Sequence, residues 1–292
     1  LHRVARHNFC NLPREFSDYK GARIVILPVP FDKTSSWMKG SVRGPGAIIS
    51  ASKHLELYDI ETHSEVYREG IHTLKAVSAN DSKGMIEKVY TRVKALLRDG
   101  KFVVLLGGEH MVSLGSIMAH VEHYPGLSIL HLDAHTDMRD SYEGNRYSHA
   151  CVMARAREIT RDIVSVGIRS MDHSELPYLN KRRIFYASSI KKDKNWIEKT
   201  VKRLTDNVYV TIDVDVFDPS IIPSTGTPEP GGLDWYEVTG LLRMASLKKR
   251  VVGFDVVELR PSGNRAPDFT IAKLIYTFLS YIFRKDEKAP EL

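Results

Sequence analysis

Three short stretches of the chain set acidic and imidazole side chains at spacings suited to holding metal ions. The first is Asp133-Ala134-His135-Thr136-Asp137, which follows an apolar run at 127–132. In extended chain, side chains two residues apart point the same way. Asp133, His135 and Asp137 therefore converge on one point. The second is Asp213-Val214-Asp215 after the run at 208–212, with two more carboxylates on one face. The third is Gly107-Gly108-Glu109-His110, whose glycines permit a tight turn that sets His110 beside neighbouring strand ends.

Carboxylates gathered without counter-charge repel one another and are driven to protonate; divalent cations relieve this. Oxygen and imidazole ligands with no thiolate point to a manganese-like metal rather than structural zinc. Two such ions, roughly 3.5–4 Å apart and bridged by carboxylates, also activate a water nucleophile at neutral pH. Each stretch alone has an ordinary structural reading, since aspartates commonly cap helices or shape turns after strands. All three at successive strand ends of one chain are read as a metal site.

The elements that must position these residues follow from the apolar pattern. Strands are expected at 22–28, 102–106, 127–133, 163–167, 183–186, 208–213 and 251–255. Helices are expected at 45–53, 83–98, 111–122, 173–180, 196–204, 234–247 and 267–283. The 83–98 segment puts Ile86, Val89, Val93, Leu96 and Leu97 on one stripe. Strands alternating with helices imply a mostly parallel sheet in an α/β fold. The runs at 103–106 and 128–132 are nearly continuous apolar stretches, as strands covered on both faces require. No composition break or tandem repeat divides the chain, so a single domain over 1–292 is expected. Ligands of open parallel sheets bind beyond the carboxyl ends of the strands, where the three stretches lie.

The composition is that of a globular protein, 42% hydrophobic and 27% charged. Two cysteines, Cys10 and Cys151, make no disulfide framework, and a reducing, cytoplasmic setting is expected. The first residues lack the apolar stretch of a secretory leader. No segment has the roughly 20 apolar residues of a membrane span. The net charge of +6 comes from dispersed lysines and arginines without a nucleic-acid-binding motif, so neither nucleic acid nor membrane is expected as a partner.

DAHTD, GGEH and TIDVDVFDP resemble the metal motifs of the ureohydrolase family, which includes arginase and agmatinase. The resemblance extends over 28–32, 43–48, 148–150, 224–232 and 255–258. It implies a three-layer α/β/α sandwich on an eight-stranded, mostly parallel sheet, assembled as a homotrimer or homohexamer. It also implies two Mn2+ ions per subunit. His110 and Asp137 would be terminal ligands of one ion and His135 and Asp215 of the other, with Asp133 and Asp213 bridging. His149 would be the proton shuttle, Asp137 would pass on a proton, and Glu258, helped by Thr227, would bind a small cationic guanidino substrate. A planar guanidinium matches a carboxylate in a forked pair, and a histidine titrates in the range a proton relay needs.

The segment 138–148 and the stretch Thr227-Pro228-Glu229-Pro230 resemble the agmatinase branch. Agmatine, split to putrescine and urea, is therefore the leading substrate. N1-aminopropylagmatine, arginine and guanidinobutyrate are alternatives, and a deacetylase-like single-metal enzyme or a non-catalytic homologue is the contrasting reading. Nearby residues carry plainer expectations: His131 is a hydrogen-bonded core histidine or supports a ligand, Asp218 shapes a turn, Cys151 is a small buried residue, and Arg169 either shapes the pocket or pairs structurally.

Overall fold

Apolar runs rich in valine, isoleucine and leucine, with no polar alternation, form the strands of one sheet. They are β1 (Ile24–Val29), β2 (Ile71–Thr73), β3 (Phe102–Gly107), β4 (Ser128–Leu132), β5 (Ile163–Ile168), β6 (Ile184–Tyr186), β7 (Asn207–Asp213) and β8 (Arg250–Val257). The computed structural model describes residues 8–284; the start of the stretch examined for a leader lies outside them. The strand order is β2-β1-β3-β8-β7-β4-β5-β6, and every pairing is parallel.

Helices cover both faces. They are α1 (Arg14–Ser17), α2 (Gly44–Ser52), α3 (Ser82–Arg98), α4 (Ser113–His123), α5 (Val152–Arg157), α6 (Ala187–Ile190), α7 (Trp196–Val201), α8 (Trp235–Lys248) and α9 (Ala266–Phe283). Alternate strand residues feed two cores. Ile24, Ile26, Val104, Leu106, Leu130, Val210 and Val256 pack with α2, α7, α8 and α9. Val25, Leu27, Val103, Leu105, Ile129 and Tyr209 pack with α3, α4 and α5. The result is a three-layer α/β/α sandwich. Removing a side chain such as Leu274 of α9, which is fully buried, costs about 2–5 kcal/mol. Polar starts fix the helices in place: the Asp81 carboxylate accepts from the Gly84 amide at α3, and Asp234 and Glu237 form a reciprocal cap at α8. No helix among the described residues is long and apolar enough to cross a membrane.

The sequence pattern misplaces some elements. The strand at 71–73 is too short to show a period, as are the single turns α1 and α6. Helix α5 is missed for the same reason. The helix expected at 173–180 is a 3-10 segment, His173–Tyr178, containing Pro177, which has no amide to continue an α-helix. The expected helix at 111–122 opens with a 3-10 turn, His110–Val112, before α4 begins.

Topology sets the site. The chain leaves β3, skips two positions and re-enters the sheet at β4; β7 and β8 later fill the gap. The carboxyl ends of β3, β8, β7 and β4 thus lie side by side in the middle of the sheet, a switch point of the kind where α/β ligands bind.

Candidate metal centre

Each of the four central strands ends in a residue with chemistry. His110 follows β3, Glu258 follows β8, Asp213 and Asp215 close β7, and Asp133, His135 and Asp137 follow β4. The turn after β3 runs against the loop after β1. A Cβ on Gly108 would lie 2.1 Å from the Phe31 carbonyl oxygen, so only glycine brings His110 this close.

The six residues expected to hold metal come together, and all but His135 are buried. The His110 Nδ1 stands 3.0 Å from Asp137 Oδ2, 3.2 Å from Asp133 Oδ2 and 3.5 Å from Asp213 Oδ2. The His135 Nδ1 stands 3.0 Å from Asp215 Oδ2 and 3.5 Å from Asp133 Oδ1. The two oxygens of Asp133 therefore face two separate ligand groups, the position a bridging carboxylate takes. Asp213 is placed less centrally: its Oδ1 accepts from the Asp215 amide at 2.9 Å, while Oδ2 approaches His110.

The donor set fits a pair of cations. Nδ1 of His110 is buried among three carboxylate oxygens yet aligned for a hydrogen bond with none. That is how a ligand atom sits around an ion. Its other nitrogen is committed: Nε2 donates to Thr211 Oγ1 at 2.9 Å, and Thr211 donates to Asp255 Oδ1 at 2.6 Å. Such support orients a metal-ligating histidine. His131 plays a comparable part, with Nε2 2.8 Å from Asp133 Oδ2 and Nδ1 3.1 Å from Ser165 Oγ, in line with its expected supporting place.

Without cations, the carboxylates and histidines of the site shift one another's protonation. Burial, then the charges of Asp215 and Asp133, push the Asp213 carboxyl well above its usual range; burial and Asp133 also raise Asp215. Burial pulls the histidines down, but the aspartates outweigh it. His110 is raised well above 6.5, and His135 to about 12.

Above this floor lies a cavity of about 250 Å³. Its walls hold Asp137, Asp172, Glu175, Asp213, Asp215 and Glu258 against one arginine, Arg139. In a protein of net charge +6, this is an acidic hole. Thr227, His149 and Glu258 are among the residues that line it. Asp137 and Glu258 both adopt left-handed backbone, φ 51° and 63°. This costs of order 1–3 kcal/mol for each. Asp137 is held by two amides, Met153 and Ala154, on its carbonyl; the Glu258 amide donates to the Gly108 carbonyl. The Glu258 Oε1 accepts from the His110 amide at 2.7 Å.

Several residues that shape the cavity escaped the sequence reading. Glu109 is fully buried and accepts from the Lys33 and Thr34 amides and from Thr34 Oγ1. Burial pushes it up to about 7, against those hydrogen bonds. Glu175 accepts from Thr136 Oγ1 and from the Met138 and Asp172 amides. Thr225 presents a buried, unpartnered hydroxyl in the cavity wall. Asp255, in β8, fell within the resembling stretch 255–258 but drew no role of its own. Glu109 stood inside a motif but next to a stronger ligand candidate.

The two readings of Arg169 resolve. Its guanidinium donates to the carbonyls of Gly167, Asp215, Val216, Phe217, Glu229 and Pro230, so it pins the loops around Asp215 and does not line the cavity. Asp218 shapes a turn, accepting from Ser220, Gly231 and Gly232. Cys151 is buried, and burial raises its thiol to about 11, so it is no ready nucleophile.

Comparison with known proteins gives a consistent picture. The arginase family model matches residues 22–280. An N(1)-aminopropylagmatine ureohydrolase from Synechocystis is 34% identical, over 94% of this chain and 96% of its own. Another of that name, from Thermus thermophilus, is 39% identical over 88% of this chain and 89% of its own. Among solved structures, the agmatine ureohydrolase of Thermoplasma volcanium superposes with a TM-score of 0.85 at 33% identity, covering 97% of this chain and 95% of that one.

Proposed function

The chain belongs to the arginase family of hydrolases acting on guanidino groups, and on that premise we propose that it splits the guanidinium of an agmatine-type polyamine at a pair of manganese ions, releasing urea. The observation that carries this reading is Asp133, whose two carboxylate oxygens face two separate groups of ligand atoms beneath an acidic cavity that His135, Asp137, Asp213 and Asp215 line. His110, Asp137, Asp133 and Asp213 would hold one ion, and His135, Asp215 and the same two bridging aspartates the other. Bound there, the ions supply a nucleophilic water at neutral pH.

The remaining work belongs to side chains. A guanidinium carbon is a poor electrophile, because resonance spreads its charge, so the group must be held in place during attack. Glu258 accepts its N–H groups in a forked pair, and the hydroxyls of Thr227 and Thr225 are available to the remaining nitrogen. Asp137 takes a proton from the attacking water. Asp137 passes that proton to the departing amine, which leaves protonated, and His149 carries a further proton between cavity and solvent. Burial lowers the pKa of His149, which keeps the ring neutral and ready to accept.

Agmatine leads on sequence alone. The Synechocystis and Thermus relatives favour its longer counterpart, N1-aminopropylagmatine, and the carboxylate of Asp172 in the cavity wall suits a tail bearing ammonium groups. We take the longer polyamine as preferred and agmatine as accepted, in a cytoplasmic homotrimer or homohexamer. A urea-release assay of the manganese-loaded protein tests this. We expect kcat/KM about tenfold higher for N1-aminopropylagmatine than for agmatine. Arginine and guanidinobutyrate, whose carboxylates meet the acidic wall, should be at least about a hundredfold worse than either. Preference for arginine, or no urea from any of the four, contradicts the proposal.

A further inference from the structure

We propose that Thr34 is the positioning residue that holds His149 as the Nδ1–H tautomer, so that Nε2 is the nitrogen that moves the proton. The inference rests on the shuttle reading of His149 given above.

The hydrogen bonds of one hydroxyl carry it. A threonine hydroxyl has one proton to give and two lone pairs. The Oγ1 of Thr34 donates its proton to Glu109 Oε1 at 2.9 Å. One lone pair accepts from the His149 backbone amide at 2.9 Å. What remains facing His149 Nδ1, at 3.3 Å, is a lone pair, which suits an Nδ1 that carries the proton. Glu109 keeps the hydroxyl turned this way. Its Oε2 is already tied to the Lys33 and Thr34 amides, so Oε1 is the oxygen left to take the hydroxyl's proton. Glu109 is fully buried, so no water competes for the position.

The Ser148 hydroxyl also approaches Nδ1, at 3.2 Å. Its proton can turn either way, so it follows the tautomer that Thr34 sets. Tyr142 also meets the ring edge-on, at 5.6 Å between centroids. His149 lines the cavity. With Nδ1 closed off, Nε2 is left as the nitrogen free to accept and release.

A double-mutant cycle in the manganese-loaded full chain tests this. Thr34→Val should lower kcat about tenfold with KM and metal content unchanged, a part of the roughly 10²–10⁴-fold that a general acid–base group contributes. Thr34→Ser, which keeps the hydroxyl, should restore kcat to within about threefold, and Ser148→Ala should cost no more than that. In a His149→Ala background, Thr34→Val should have no further effect. Equal slowing by Thr34→Val in both backgrounds would make Thr34 merely structural and overturn the proposal. So would failure of the serine rescue, or a larger loss from Ser148→Ala. Melting curves of Thr34→Val and Thr34→Ser identify any loss that comes from misfolding, in which case the serine variant decides. If His149→Ala alone keeps full kcat, the shuttle reading beneath the proposal fails, a result distinct from failure of Thr34's part.

Discussion

On the cavity floor, each acidic or imidazole side chain lies within a few residues of a strand end, and the register of four parallel strands brings them together. The walls are made otherwise. Residues 35–38, Arg139, Tyr142, His149 and 170–172 sit in loops or short turns, joined to the floor by two buried glutamates, Glu109 and Glu175. Sheet geometry therefore fixes where the chemistry occurs. Loop anchoring fixes what is admitted and how protons leave. A change on the floor should abolish metal binding and turnover together, whereas a change in the walls should alter turnover or substrate affinity with the metals still in place.

The largest effect should come from Asp133→Ala. Losing the carboxylate shared by both ligand groups should cost at least about a thousandfold in kcat and most of the bound metal, measured by urea release and elemental analysis together. His149→Ala should slow turnover about a hundredfold while elemental analysis finds the metals intact. Loss of metal in that variant would erase the distinction between floor and wall.

Asp255→Asn tests the support beneath the floor. Disturbing the Thr211–Asp255 chain behind His110 should weaken manganese affinity about 10–100-fold, read by titrating activity against free metal. Glu175→Ala tests the wall. It leaves the Met138 and Asp172 amides and the Thr136 hydroxyl without their acceptor, which should cost about 2–3 kcal/mol of stability. We expect KM to rise about tenfold with metal content unchanged. A pure loss of kcat would place Glu175 in the chemistry instead.

The smallest effect concerns protons. His110 and His135 are both raised without metal, so each holds a proton at neutral pH. A raised pKa means that the stabilisation present below pH 6.5 is lost as pH climbs, through a window reaching about 12 for His135. Metal binding must displace these protons. Apparent manganese affinity should therefore rise with pH, and calorimetry near pH 8 in buffers of different ionisation heat should record net proton release. Proton uptake would contradict the arrangement.

The same contrast explains what could be read from the sequence. The floor was legible because ligand-type residues cluster directly after apolar runs, although the extended spacing expected for 133-135-137 and 213-215 does not hold: β4 stops at Leu132, Asp137 turns to φ 51° and Asp215 lies in the 3-10 turn Val214–Val216. The apolar runs of the central strands were legible for a similar reason, as was helix α3. The walls were not. Glu109 contacts Lys33 and Thr34, and Glu175 contacts Thr136 and Met138, across separations that no local period records. Arg169 offered two readings because its partners are backbone carbonyls, and a carbonyl leaves no mark in the sequence. The edge strand β2 and the Pro177 turn fell below the length at which periodicity can be judged.

The central claim is that two cations share the Asp133 carboxylate and that urea release depends on both. Elemental analysis of the purified chain during stepwise manganese titration, with urea release measured on the same samples, tests it most directly. We expect activity to reach its plateau at two ions per chain. Full activity with one ion or fewer, or two bound ions with no urea from any guanidino substrate, would contradict it.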